Sequence, residues 1–213
     1  TQNIANEIYI NGKFSNKNLI IKESFFQEFI NNDNLKIKKI DINSKNTFSF
    51  KIDKSFKIKD LNIKSKIKLN EVDLLNTFSL KSFFPKIKDQ ISFSNHDLQI
   101  DYNNDKFKIK GKGDILLQNN NDQVEYTIFK ENKKINFNIF FFINKNELFI
   151  DFLNYKKNDA SKLEIQIKGR KKPNGILEID LFKLNNKEDK IELQNIAFDE
   201  NFKILELKEI RFD

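Results

Sequence analysis

The sequence predicts a mainly β protein, a long antiparallel meander sheet with one or two short helices, and leaves open whether that sheet coils into an open groove. Three observations point there. Apolar and polar residues alternate at period two over most of the 213 residues. Short clusters rich in Asn and Asp separate the alternating runs, and these residues tolerate left-handed turns. Only 2 Pro and 5 Gly occur, so regular structure leaves little room for linkers. A closed β-sandwich, with two apolar faces buried together, is the alternative that the same pattern allows.

Taken in order, the first departure from alternation is "SFFQEFIN", Ser24 to Asn31. Phe25, Phe26, Phe29 and Ile30 are at helical spacing there, with Ser24 and Gln27 placed as a capping box. Next comes "FKIKDLNIKSKIKLNEVDL", residues 56–74, in which Phe56, Ile58, Leu61, Ile63, Ile67 and Leu69 share one face. The phase slips between Ile58 and Leu61, which predicts a β-bulge at Lys59-Asp60. Glu71 to Phe84, before Pro85, suggests a second short helix or a hydrophobic connector. The chain reads as one domain over 1–213, and the best candidate for a seam, near 85–90, divides it into 1–84 and 91–213.

From there strand follows strand. Clear runs are Leu98-Ile100-Tyr102, Phe107-Ile109, Val124-Tyr126-Ile128 and Ile135-Phe137-Ile139-Phe141-Ile143. Further runs are Leu148-Ile150-Phe152, Leu163-Ile165-Ile167, Leu177-Ile179-Leu181, Ile191-Leu193 and, with one slip, Ile204 to Phe212. Turn clusters at Asn103-Asn104-Asp105, Asn119 to Asp122, Asn144-Lys145-Asn146, Asn185-Asn186 and Asp199-Glu200-Asn201 imply short antiparallel connections.

Charge argues against nucleic acid. The net charge is +7, but Arg occurs only at Arg170 and Arg211, and acids are interleaved with the Lys. Nucleic-acid sites favour the Arg fork, so a solvated polar face explains these charges. No Cys is present, which excludes disulfides and thiolate metal sites. The longest apolar run, Ile139 to Ile143, is too short to span a bilayer as a helix. The chain begins at Thr1 and has no Met, so it reads as a piece of a longer polypeptide, and any export signal or membrane anchor would lie in the missing part.

An enzyme is not expected. His96, the one His, lacks a second His or Cys to complete a metal set or a nucleophilic pair, and reads as a surface or turn residue. Gly111-x-Gly113 lacks the rest of a phosphate loop and reads as a bulge or a close backbone approach. Asp101, Asp151 and Asp180 alternate with apolar neighbours and belong to the polar face. No cofactor or metal is implied.

The remaining question is what the apolar face meets. About a dozen strands at ~4.8 Å spacing extend roughly 55–60 Å, enough for several acyl chains in file. Residues 106–213 resemble the repeat-rich region of AsmA-like proteins of the YhdP and TamB kind from Gram-negative bacteria. The resemblance rests on "FKIKGKGDILL" at 107–117, "ELFIDFLNYKK" at 147–157, "LEIQIKG" at 163–169, "KIELQNIAF" at 190–198 and "KILELKEIRF" at 203–212. Leu153, Tyr155, Lys157, Gly169 and Asn195 match the family pattern, while its small residues are largely replaced by Lys, Asn and Ile.

That resemblance implies a periplasmic segment of an inner-membrane-anchored bridge that carries phospholipid in an apolar β groove. Phospholipid acyl chains would be its partners, with no catalytic residues. The lipid-binding row expected is Phe137, Ile139, Phe141, Leu148, Ile150, Phe152, Leu163, Ile165, Ile167, Leu177, Ile179 and Leu181. Ile150→Asp or Ile165→Asp is then expected to block transport with the fold retained. The other reading is a β-sandwich assembly module of the cell envelope that binds a protein partner along a sheet edge.

Overall fold

A computed structural model describes residues 7–22, 37–75, 81, 83–150, 153–157, 161–186, 190–199 and 203–212. The strands are β1 (Glu7–Lys22), β2 (Ile37–Asp53), β3 (Ile58–Leu75), β4 (Gln90–Asn103), β5 (Lys106–Leu116), β6 (Asp122–Glu131) and β7 (Lys134–Ile143). After these come β8 (Leu148–Ile150), β9 (Tyr155–Lys157), β10 (Leu163–Lys171), β11 (Leu177–Asn185), β12 (Lys190–Phe198) and β13 (Ile204–Phe212). Eleven of them form one antiparallel sheet in the order β1-β2-β3-β4-β5-β6-β7-β10-β11-β12-β13, while β8 and β9 pair separately. Among the described residues the sheet does not close: β1 pairs with β2 alone and β13 with β12 alone. Ten gaps give a width of about 48 Å.

At the short connections the antiparallel order follows directly, because a parallel return needs a long crossover. At one end of the sheet the turns are tight. Asn104 and Asp105 adopt φ of 38° and 39°, and Asn132 and Lys133 adopt 50° and 64°, the left-handed pairs of type I′ hairpins. Asp53 ties the β2–β3 turn by accepting the N–H groups of Ser55 at 2.8 Å and Lys57 at 3.0 Å. We call this the hairpin end. The opposite end carries the longer connections between β3 and β4, β5 and β6, and β7 and β10.

Bulges interrupt the long strands. The register shifts between Ser49 and Lys51, opposite Asp60 at φ 52°, so the bulge expected at Lys59-Asp60 is present. Others fall between Ser94 and Asp97 and between Lys168 and Gly169. Each bends its strand and resets which residues face the apolar side.

The helical expectation is corrected for 71–75. Glu71 pairs with Asp41 on one side and Ser94 on the other, and Val72 and Leu74 face Phe93 and Ile91. The ladder on both sides takes the backbone groups that a helix would use. No α-helix occurs among the described residues, and "SFFQEFIN" at 24–31 lies outside them. Nor do two large sheets face each other, so the sandwich is not the architecture seen.

A half-covered apolar face

Pairing register places side chains on one face or the other without ambiguity, since directly opposed residues share a face. One register row crosses all eleven strands: Asn16, Ser44, Ile67, Leu98, Gly111, Tyr126, Ile139, Ile167, Phe182, Leu193 and Ile210. A parallel row nearer the hairpin end runs Ile100, Ile109, Ile128, Phe137. Apart from Gly111, the members of both rows from β3 to β7 are half-buried, and strands there have extensive contact only with their sheet neighbours.

At β1 and β2 the row turns polar. Asn16 and Ser44 bond through their side chains, Asn46 Nδ2 donates to Ser44 Oγ at 2.7 Å, and Ser44, Asn46 and Ser65 are all less than 9% exposed. The polar break is local: Phe14 and Phe48 on one side of it, and Leu19 paired with Ile42 on the other, lie on the same face of β1 and β2.

Gly111 and Gly113 make room for rings. A Cβ at Gly113 would collide with His96, and one at Gly111 with Tyr126. This is the close backbone approach expected of the Gly-x-Gly. The expectation for His96 itself is corrected: it lies within β4, 1% exposed, between Phe93 and Tyr126. The bulge at Asn95 (φ 55°) turns it onto the apolar side, where its Nε2–H donates to the Asp114 carbonyl at 2.9 Å.

Towards the end with long connections the same face is covered. Phe84 meets Phe141 edge-on at 6.0 Å, and Leu148 and Ile150 of β8 join Ile143, Leu163, Ile165, Leu184 and Leu193 in one buried cluster. Polar groups knit the cover together. The Lys86 backbone N–H donates to Gln118 Oε1 at 3.0 Å, and Gln118 Nε2 donates to the Glu147 carbonyl at 2.8 Å. The Phe149 N–H donates to the Phe83 carbonyl at 2.9 Å.

Asp122, fully buried, accepts the Asn144 N–H at 3.0 Å and Asn146 Nδ2 at 2.6 Å. Lys157 Nζ donates to the carbonyls of Asn144 at 3.2 Å and Asn146 at 2.7 Å. Burial pushes the Asp122 carboxyl above the usual carboxylate range, opposed by its bonds from Asn146 and Asn144 and by the Lys157 charge.

The expected lipid row divides accordingly. Phe137, Ile139, Phe141, Ile167 and Leu177 lie on the sheet and are half-buried. Leu163, Ile165 and Ile179 are on the same face but only 3%, 5% and 6% exposed. Leu148 and Ile150 do not belong to the sheet face; they are in the cover that closes over it. Phe152 lies outside the described residues.

Leu181 is on the opposite, polar face, paired with Lys168 and Gln194, because the register shifts after Ile179. Phe182 and Leu184 take the apolar side instead, followed on β12 and β13 by Leu193, Ile196 and Leu207. The signal for them was present in "DLFKL", where apolar residues fall on both phases. Of the three Asp considered, Asp101 is on β4 and Asp180 on β11, five strand gaps apart, and Asp151 lies outside the described residues. No group of three or more His, Cys, Asp or Glu suited to a metal occurs among the described residues.

Comparison with protein-family models, curated proteins and solved structures finds no match.

Proposed function

We propose that this chain is a non-enzymatic, lipid-conducting segment that holds phospholipid acyl chains against the half-buried part of its apolar face. The observation that carries the reading is the single open sheet whose apolar side is covered at one end and bare from β3 to β7 towards the hairpin end. A contiguous apolar surface of that kind calls for an occupant in water. Hydrocarbon suits it, because contacts with Ile, Leu and Phe are nondirectional and permit sliding along the sheet. The resemblance of residues 106–213 to AsmA-like proteins supports the same reading, in which the segment would form part of a periplasmic bridge between membranes.

Native mass spectrometry after mild purification tests the proposal. The expected result is co-purifying phospholipid that is lost in Ile109→Asp or Ile128→Asp while the circular dichroism spectrum is kept. Ile150→Asp and Ile165→Asp no longer serve, since both side chains are in the closed core and a carboxylate there would unfold the protein. A lipid-free particle with unchanged apolar exposure overturns the reading.

A specific feature favours a second reading, an assembly module that takes a partner strand along β1. Ile8, Tyr9, Phe14 and Ile20 of that edge strand are each more than half exposed. Burial of β1, not of the face, on adding the partner distinguishes it.

A further inference from the structure

The polar face carries its own register row, one residue away from the central apolar one. It runs Ser15, Lys45, Lys66, Gln99, Lys110, Thr127 across β1 to β6. On either side of it, cross-strand charges alternate in sign. Lys68 and Lys112 flank Asp97, and Lys64 and Lys108 flank Asp101. Along the row itself β4 supplies Gln99 where its neighbours on that face are Asp, and Lys45 is directly opposite Lys66. Like charges so placed destabilise a sheet.

None of Lys45, Lys66 and Lys110 has an acidic partner among the described residues, and all three are exposed. A trough of about 850 Å³ runs between this row and the next one on the same face, Lys17, Asn43, Lys68, Asp97, Lys112 and Glu125, so its lining is net positive, with six Lys against Asp97 and Glu125.

We propose that this trough binds an extended anionic glycan, with its carboxylate or phosphate groups on Lys45, Lys66 and Lys110. Six adjacent strands span about 24 Å, the scale of several sugar units laid end to end. Lys ammonium groups act as point charges that meet an anion at varied angles, while Ser15, Gln99 and Thr127 supply hydrogen bonds for sugar hydroxyls. Gln99 is held by donating to Asp101 at 3.1 Å, which leaves its carbonyl to accept. The row has neither Arg nor an aromatic residue, so it lacks the stacking platform of a single-stranded nucleic-acid site. The inference does not depend on what lies on the apolar face.

Fluorescence anisotropy with a labelled heparin oligosaccharide, at about 150 mM salt, tests it. Binding is expected, together with competition by polygalacturonate and none by neutral dextran. Lys45→Gln with Lys66→Gln is expected to weaken binding about tenfold. Gln99→Asp is the decisive variant: a carboxylate in the middle of the row should weaken binding while the circular dichroism spectrum is kept. Lys133→Gln with Lys134→Gln, at the hairpin end, should leave binding unchanged. Absence of glycan binding, tighter binding of oligo(dT) or of phosphatidylglycerol vesicles, or full affinity in the Lys45/Lys66 double variant overturns the proposal.

Discussion

Lys157 Nζ donates to the Asn146 carbonyl at 2.7 Å, and neither residue is more than 3% exposed. A fully buried ammonium at this place holds the β7–β10 connection over the sheet, with the Asp122 carboxyl across the same loop. Lys157→Met removes the charge and leaves two carbonyls and Asp122 without it. The expected cost is about 3 kcal/mol in urea unfolding, since breaking a buried charged network exposes the full desolvation cost of what remains. Hydrogen exchange should localise the loss of protection to β8 and β9 first.

Covered and bare parts of the apolar face should respond differently to truncation. Leu193 and Leu184 are fully buried, so Leu193→Ala or Leu184→Ala should cost about 2–5 kcal/mol. Ile109 and Ile128 are half-buried on the bare stretch, and their Ala variants should cost about 1 kcal/mol or less. Equal losses at the two sets would show that something covers the whole face.

The ring over Gly113 makes a reciprocal test. Gly113→Ala drives a methyl group into His96, for an expected loss of about 1–3 kcal/mol. Pairing it with His96→Ala should recover part of that loss, and a double-mutant cycle measures the coupling.

Acid should destabilise the protein through identifiable carboxylates. Hydrogen bonding and cationic neighbours hold four of them below their ordinary range: Asp53 (chiefly the Lys57 N–H), Asp60 (Lys51), Glu147 (Lys86) and Glu178 (Lys172). Their folded-state pKa is depressed, so their contribution is present above the ordinary carboxylate range and lost as pH falls through the depressed values. Asp122 runs the other way. Its raised pKa favours the folded state at low pH, a contribution lost as pH rises through the raised value. Urea midpoints should therefore drop below the carboxylate range, less steeply in Glu178→Gln and more steeply in Asp122→Asn.

Much of the fold was legible because its determinants are local. Alternation at period two names a strand and its apolar face, and Asn-Asp pairs such as Asn104-Asp105 name a turn. The bulge at Asp60 showed as a slip in that alternation. The shift after Ile179 left a more ambiguous trace: Leu181 keeps the local alternation while Phe182 and Leu184 start the other phase, and only pairing puts Leu181 opposite Lys168. Helical spacing at 71–75 misled for a related reason: Leu74 and Leu75 serve a strand as well as a helix, and only the ladders on both sides decide between them.

The sequence by itself determined that this chain forms antiparallel strands with one apolar and one charged face, since backbone preference and solvation act residue by residue. Tertiary structure alone decided how the apolar face ends up covered. Leu148, Ile150, Phe84, His96 and Lys157 come to that face from connections or through bulges, and no spacing along the chain encodes where a loop folds back. The same holds for the row of Lys45, Lys66 and Lys110. Each looks locally like ordinary surface charge, and only pairing between distant strands sets them side by side without an acid.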